Sequence, residues 1–394
     1  MRQRAAQRAA GARRPRLRGV PRPGAWAGLL VALFAPAAGA QTSAGASVGF
    51  LGYSFDEGLG ADAAQLIIIP VAARLPATER LRFDLYAAWA EGRIEQDDVQ
   101  LRLAGPVDTR VKATYQATPW ALVSIGATLP TGRATHSSEE AVVASVLSTD
   151  LLGFSETTWG TGLGLTSSVA TAVRAGELGV GLAIAYALRG KFEPSSDVDL
   201  EYQPGNEARV RLGIDRNFGN STLTAGATFI NYATDQADGQ NLFQAGNRLR
   251  IDASYAFRAN AGVWTLYAAD LVRANGDLRL DIVDDLGAPV GDTTVVTAKQ
   301  NLFIAGATGA IGLGGGRVLR PHVDYRLQTR TEMDGDDTGS GWIVAAGGDV
   351  PFQVFGRYEL VPKARILYGS LRSRSAGDVG LLGMELTGTF RGTF

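Results

Sequence analysis

The sequence predicts an all-β chain, closed into a transmembrane antiparallel up-and-down barrel of about 16 strands with short periplasmic turns and long external loops. Three observations predict it. Side-chain polarity alternates with period two from one end to the other, and short and long connections take turns between the alternating segments. The chain also finishes on a strand, "GMELTGTFRGTF", whose edge needs a partner.

The first element is not part of that barrel. Eight arginines and no acid precede the apolar run "AWAGLLVALFA" and the small-residue site Ala38-Gly39-Ala40. These are the parts of a secretory signal peptide, so residues 1–40 are expected to be removed and residues 41–394 to form the barrel. The apolar run falls short of the roughly 20 residues that span a bilayer as a helix. Removing the eight arginines from 38 Lys+Arg leaves 30 against 39 Asp+Glu, a formal charge near −9 that argues against nucleic acid as a partner. The absence of cysteine excludes disulfides, thiolate nucleophiles and cysteine-held metals. Fifty glycines in 394 residues, without a collagen repeat, suit many turns and strand bends.

Alternation then identifies the strands. Leu81, Phe83, Leu85, Ala87 and Trp89 face away from Arg80, Arg82, Asp84, Tyr86 and Ala88; Leu249, Ile251, Ala253, Tyr255 and Phe257 face away from Arg248, Arg250 and Asp252. In "VLRPHVDYRLQTR" Leu319, Val323, Tyr325 and Leu327 oppose Arg320, His322, Asp324, Arg326 and Arg330. Short turns are expected at 75–79, 117–120, 174–177, 217–220, 258–262, 312–317 and 349–352. Long loops are expected near 56–62, 92–106, 130–155, 190–205, 233–246, 273–297, 331–340 and 372–379. Seven turns and eight loops make 16 strands with both ends on the short-turn side. A secreted sandwich or solenoid also alternates, but many polar faces here carry several charges and no repeat of 20–50 residues is visible.

In the last strand Leu382, Met384, Leu386, Phe390 and Phe394 share one face and Glu385, Thr387, Thr389 and Arg391 the other. Closing it against "ASVGFLGYSF" removes both edges. This ending resembles the C-terminal strand of Gram-negative outer-membrane proteins. The resemblance implies that Phe390 and Phe394 form the signal read by the barrel-assembly machinery. It also implies residence among outer-membrane lipid and lipopolysaccharide.

With apolar faces on lipid, the polar faces line the interior. The cations on those faces are Arg80, Arg82, Arg110, Lys112, Arg209, Arg211, Arg248, Arg250, Arg320, Arg326, Arg330, Arg357, Lys363, Arg365 and Arg391, with His322 beside them. Their acidic company is smaller: Asp84, Asp108, Asp215, Asp252, Asp324, Glu359 and Glu385. A net basic lumen favours anions; the bland reading is that the arginines pair with these acids and stiffen the wall. The function expected is diffusion of small solutes through the lumen, with no cofactor, no metal and no catalysis, by a monomer or a trimer.

The third external segment, "PTGRATHSSEEAVVASVLSTDLLGFSE", resembles in order and length the inward third loop of sixteen-stranded porins. That resemblance implies a constriction in which Glu139 and Glu140 oppose the basic wall; an external hairpin extension is the plainer reading. "GATLPTGR" followed by "WGTGLGL" resembles the outer-membrane barrels of meta-pathway phenol degradation, which implies a transporter of hydrophobic or aromatic compounds as the alternative. A closed structural or adhesive barrel is the third reading. His136 beside Ser137 and Glu139, and His322 near Asp324, are the candidates for catalysis, and neither spacing specifies a triad. The acidic "DGDDTGSG" (334–341) lacks the frame of a calcium loop.

Overall fold

The computed structural model describes residues 42–97, 99–259, 262–283, 289–331 and 337–394. The expected signal peptide lies outside the described residues. In chain order the strands are β1 (Ser43–Phe55), β2 (Ala63–Pro76), β3 (Leu81–Gln96), β4 (Val99–Thr118), β5 (Ala121–Leu129), β6 (Gly164–Ala175) and β7 (Leu178–Arg189). Next come β8 (Tyr202–Gln203), β9 (Glu207–Phe218), β10 (Ser221–Tyr232), β11 (Asp235–Ala237), β12 (Gln240–Gln244), β13 (Arg248–Ala259) and β14 (Gly262–Arg273). The rest are β15 (Asp277–Val283), β16 (Pro289–Val296), β17 (Lys299–Gly314), β18 (Arg317–Thr331), β19 (Gly341–Asp349), β20 (Phe352–Phe355), β21 (Tyr358–Ser373) and β22 (Gly377–Thr393).

Sixteen of these form one wall: β1–β7, β9, β10, β13, β14, β17–β19, β21 and β22, each antiparallel to its neighbours. The wall closes where Ser43 faces Thr393 and Phe55 faces Leu381, as the alternation of both end strands predicts. Closure gives every wall strand two hydrogen-bonded neighbours, which is what a sheet needs to sit in hydrocarbon. Outside, Leu382, Met384, Leu386, Ile366, Leu212, Ile251 and Tyr325 are exposed. At the end near the termini, Tyr358 stacks on Phe390 with centroids 5.2 Å apart and meets Phe394 edge-on at 5.6 Å. An apolar outer band with an aromatic rim, on a closed sheet of this size, is the architecture of a bacterial outer-membrane barrel.

On the rim that holds both termini, two-residue turns join β4 to β5, β6 to β7, β9 to β10 and β17 to β18, and residues 77–80 join β2 to β3. Phe218 faces Ser221 across Gly219-Asn220, and Gly219 has a φ of +58°, which favours a residue without Cβ.

Two expectations about connections are corrected. Residues 92–106 are not a loop: β3 and β4 run through them until Gln96 faces Val99, because Ile94, Leu101 and Leu103 pack inward and hold the strands together. "DVPF" is not the turn either. Val350-Pro351 interrupts the strand, β20 continues it, and the chain reverses at Gly356-Arg357, where Phe355 faces Tyr358.

Three long loops, 190–206, 233–247 and 274–298, carry β8, β11, β12, β15 and β16. These join laterally into a second sheet in the order β16-β15-β12-β11-β8, with Phe243 opposite Leu278 and Gln236 opposite Gln203.

The segment 130–163 between β5 and β6 turns into the barrel. It carries the helix α1 (Ser138–Leu147), which starts on a capping box: Ser137 Oγ accepts from the Glu140 amide at 3.3 Å and the Glu140 carboxylate accepts from the Ser137 amide at 3.0 Å. Val143, Leu147, Leu151, Leu152, Phe154 and Trp159 are buried against the inner face of β1–β4, β19, β21 and β22, among Tyr53, Leu66, Ile94, Leu103, Ile343 and Leu367. Gly92 permits the approach, since a Cβ there would lie 2.5 Å from Leu147 Cδ1. The hydrophobic core of this protein therefore sits inside the barrel.

Candidate lumen site

The interior is built by register. A bulge places Tyr86 opposite Arg110 but Ala88 opposite Val107, so β4 spends three residues against two of β3. Above the bulge Leu101, Leu103 and Val107 point inward; below it Arg110 and Lys112 do.

Most of the inward cations are bound to acids. Arg74 and Arg82 reach Asp84 at 2.9 and 3.4 Å. Arg110 lies 5.1 Å over the Tyr86 ring and 3.4 Å from Glu156, which also accepts the Tyr86 hydroxyl at 2.6 Å. Glu207 holds Arg189 at 3.2 Å and pairs with Arg209. Arg211 is bidentate to Asp252, both contacts 2.9 Å, and Arg250 approaches the same carboxylate at 3.6 Å. Arg320 and His322 converge on Asp349 at 3.5 and 2.7 Å. Lys363 sits 2.5 Å from Glu385 and Arg391 2.5 Å from Glu359.

The tightest group lies against the inward loop. Asp324 pairs with Arg365 and holds Arg326 at 3.1 Å, and Arg365 also reaches Glu385 at 3.1 Å. Arg326 donates to the carbonyls of Leu151 and Leu152 at 3.4 and 3.3 Å, while the Tyr53 hydroxyl donates to the Leu152 carbonyl at 2.6 Å. Gly153 has a φ of +69°, and a Cβ there would meet Arg326 Nη1 at 2.0 Å. The loop is fastened to the wall at this point.

Several predicted residues stand apart from these pairs. Lys112, Arg248 and Arg357 form no ion pair with a described carboxylate. Lys112 and Arg357 border a cavity of about 720 Å³ with Arg74, Asp84, Arg110 and Glu359. Arg80 precedes β3, in the connection after β2, and its carbonyl accepts from the Gln116 amide at 2.8 Å. The Arg330 amide donates to Ser340 Oγ at 2.8 Å.

Glu139 and Glu140 both fall in the first turn of α1, and Glu140 pairs with Arg133 of its own loop at 2.6 Å. The loop carboxylates that reach the wall are Glu156 and Asp150, the latter accepting from Gln300 Nε2 at 3.0 Å. Sequence reading missed Asp150, Glu156 and Arg273. Arg273 falls in a segment read as loop; the run "WTLYAADLVR" carries its alternation one residue further than the boundary drawn there.

His136 and Ser137 are engaged structurally. The His136 backbone bonds Pro194 and Ser196, Ser137 caps α1, and burial with Arg133 nearby holds the His136 imidazole below its ordinary value. The loop 130–163 is further tied to 190–206 by Thr135 Oγ1 on the Glu193 carbonyl at 2.8 Å and by the Ser138 amide on Asp197 at 2.7 Å. Residues 334–336 of the acidic string lie outside the described residues, and Asp337 pairs with Arg372 at 2.5 Å.

No family model matches the chain, and no curated protein does. Among solved structures the chain is similar to OccK1 (OpdK) of Pseudomonas aeruginosa, at 9% identity, covering 90% of this chain and 98% of that one with a TM-score of 0.46. It is similar to OccK9 (OpdG) of the same organism at 12% identity, covering 90% and 98% with a TM-score of 0.45. An anion-selective porin from Comamonas acidovorans matches at 11% identity over 90% and 99%, with a TM-score of 0.40. The likeness is one of fold alone.

Proposed function

We propose that the protein is a channel that passes small solutes through the bacterial outer membrane by diffusion, narrowed by the segment 130–163 and biased towards anions by the arginines its wall leaves unpaired. The observation that carries this reading is the inward loop. It is fastened to one side of the barrel by Arg326, Tyr53 and the apolar cluster, so it narrows the lumen from that side. Next to that side, β5–β7 present small residues inward, among them Ser124, Thr166, Ser168, Gly181 and Ala183, which leave room for water and solute.

Residues 43–55 favour this over a plugged transporter of hydrophobic compounds, because they form β1 of the wall rather than a plug. The pairing of so many arginines supports the wall-stiffening role as well. Anion bias then rests on fewer groups than composition suggests, chiefly Arg248, Arg273, Lys112 and Arg357.

The test is the reversal potential of the refolded barrel in a planar bilayer under a potassium chloride gradient. Anion preference is expected, and replacing Arg248 and Arg273 by Gln should weaken it more than replacing Arg320, whose charge already sits beside Asp349. A folded barrel with no conductance overturns the channel.

A further inference from the structure

Four side chains stand at one height on four neighbouring strands. Across the ladder Arg248 of β13 faces Arg273 of β14, Arg273 faces Gln300 of β17, and Gln300 faces Arg330 of β18. All four lie on the inward face, since each shares its strand's alternation with a residue bound inside: Asp252, Tyr267, Leu302 and Arg326 respectively. Neighbouring guanidinium groups repel, so a row of this kind calls for an anion.

Arg248 and Arg273 are left short of acceptors. Arg248 lies 5.5 Å over the Tyr232 ring, and its Nε is buried without a hydrogen-bond partner. Arg273 Nη2 donates to Gln300 Oε1 at 2.5 Å, a neutral partner. Gln300 in turn donates Nε2 both to Gln328 at 2.8 Å and to Asp150 Oδ2 at 3.0 Å. A donor left unmade out of water is costly, and a charged donor more so. Asp150 belongs to no wall strand. It arrives from the inward loop and brings a carboxylate to Gln300 of the row.

We propose that Arg248, Arg273 and Gln300 form a binding station for a small carboxylate solute, and that Asp150 occupies it as a built-in competitor. The occupant names the ligand class, because the group the loop delivers there is itself a carboxylate. Room for the rest of a solute adjoins it: a cavity of about 310 Å³ bordered by Asp150, Gly153, Tyr267, Ile304, Asp324, Arg326 and Arg365, part apolar and part charged, with both guanidinium groups paired to Asp324. A solute carboxylate would take the place of Asp150 on Gln300 and add acceptors for Arg248 and Arg273. The loop carboxylate would thereby set how strongly the station holds what passes. This rests on the channel reading for the solute's access to the lumen and on nothing else in it.

The experiment is calorimetric titration of sodium acetate into the folded, detergent-solubilised barrel at fixed chloride, beside planar-bilayer currents of the same preparations. Asp150→Asn is expected to bind acetate about fivefold more tightly, the scale of one partly exposed ion pair. Asp150→Glu should return to the wild-type affinity. Arg273→Gln and Arg248→Gln should lose most of the binding, with Arg273→Lys retaining part of it. Equal affinity in wild type and Asp150→Asn overturns the competitor, as does a gain that Asp150→Glu fails to reverse. Acetate binding that survives both glutamine variants overturns the station. A barrel that binds acetate as expected yet carries no current overturns the channel and leaves the station standing; one that conducts but binds no acetate does the reverse.

Discussion

The two sides of the barrel interior are made by the same strand geometry and hold opposite contents. On β1–β4, β19, β21 and β22 the inward face turns apolar away from the terminal rim, and the segment 130–163 covers it with Val143, Leu147, Leu151, Leu152, Phe154 and Trp159. On β9, β10, β13, β14, β17 and β18 the inward face keeps its arginines, some bound to acids and some in a row facing the loop. One side is thus packed like the core of a soluble domain, and the other keeps its charges inward and meets the loop through Gln300, Leu302 and Arg326. The difference teaches that a barrel of this width need not be hollow all round, because one long loop converts part of the lumen into a core.

The comparison is broken most directly at Trp159, which is fully buried and donates Nε1 to the Ala90 carbonyl at 3.0 Å. Trp159→Ala is expected to cost about 3–5 kcal/mol in urea unfolding of the vesicle-refolded barrel, and to raise conductance as the loop loosens. Removing the charge that fastens the loop's wall comes next. Arg365→Gln leaves Asp324 and Glu385 without their shared partner at a site where Arg365 and Asp324 are 9% and 6% exposed, and should cost about 3 kcal/mol in the same assay. Gly92→Val adds volume where Leu147, Val143 and Trp159 already touch the backbone, and should cost about 1–3 kcal/mol while leaving the arginine side's anion preference intact.

Protonation sharpens the comparison at the loop's outer tether. The His136 imidazole is held below its ordinary value of 6.5, first by burial and then by Arg133. The folded tether therefore binds fewer protons than the free loop. Its stability is full above that value and falls as pH drops through 6.5 towards the lowered value. Hydrogen exchange of the His136 and Ser196 amides should quicken across that window, and His136→Gln should abolish the dependence. The smallest effect is expected where neither side is involved: the exposed pair of Lys191 and Glu201, 2.6 Å apart, should give less than about 1 kcal/mol on Lys191→Met.

The barrel was legible because a wall between lipid and water imposes period two on every strand. Leu382, Met384 and Leu386 against Glu385 and Thr387 announce both the strand and its faces, and the closing pair of end strands follows from them. The lumen was less legible wherever the interior is dry. In "AAQLIIIP" Ala64, Leu66 and Ile68 face inward and Ile67 and Ile69 outward, so both faces are apolar and the alternation disappears. Charge counting found the arginines but not their partners, since pairing depends on register between strands far apart in sequence, as with Arg211 and Asp252. Asp150 carries no local signal at all. Its place is fixed by how far the chain travels after α1.

One feature of the wall bears on how the chain can be rewired. Thr42 and Phe394 exchange both backbone hydrogen bonds, the Thr42 amide to the Phe394 carbonyl at 3.2 Å and the Phe394 amide to the Thr42 carbonyl at 2.8 Å. The ends of the described chain are thus adjacent points on one ring, and the numbering of the strands is a convention of synthesis rather than a property of the ring. A short linker across that seam, with a new opening at the Gly356-Arg357 turn on the same rim, would preserve every rung of the ladder and move the terminal phenylalanine away from the chain's end. Barrel geometry and the position of the chain's ends would then be separable in one molecule.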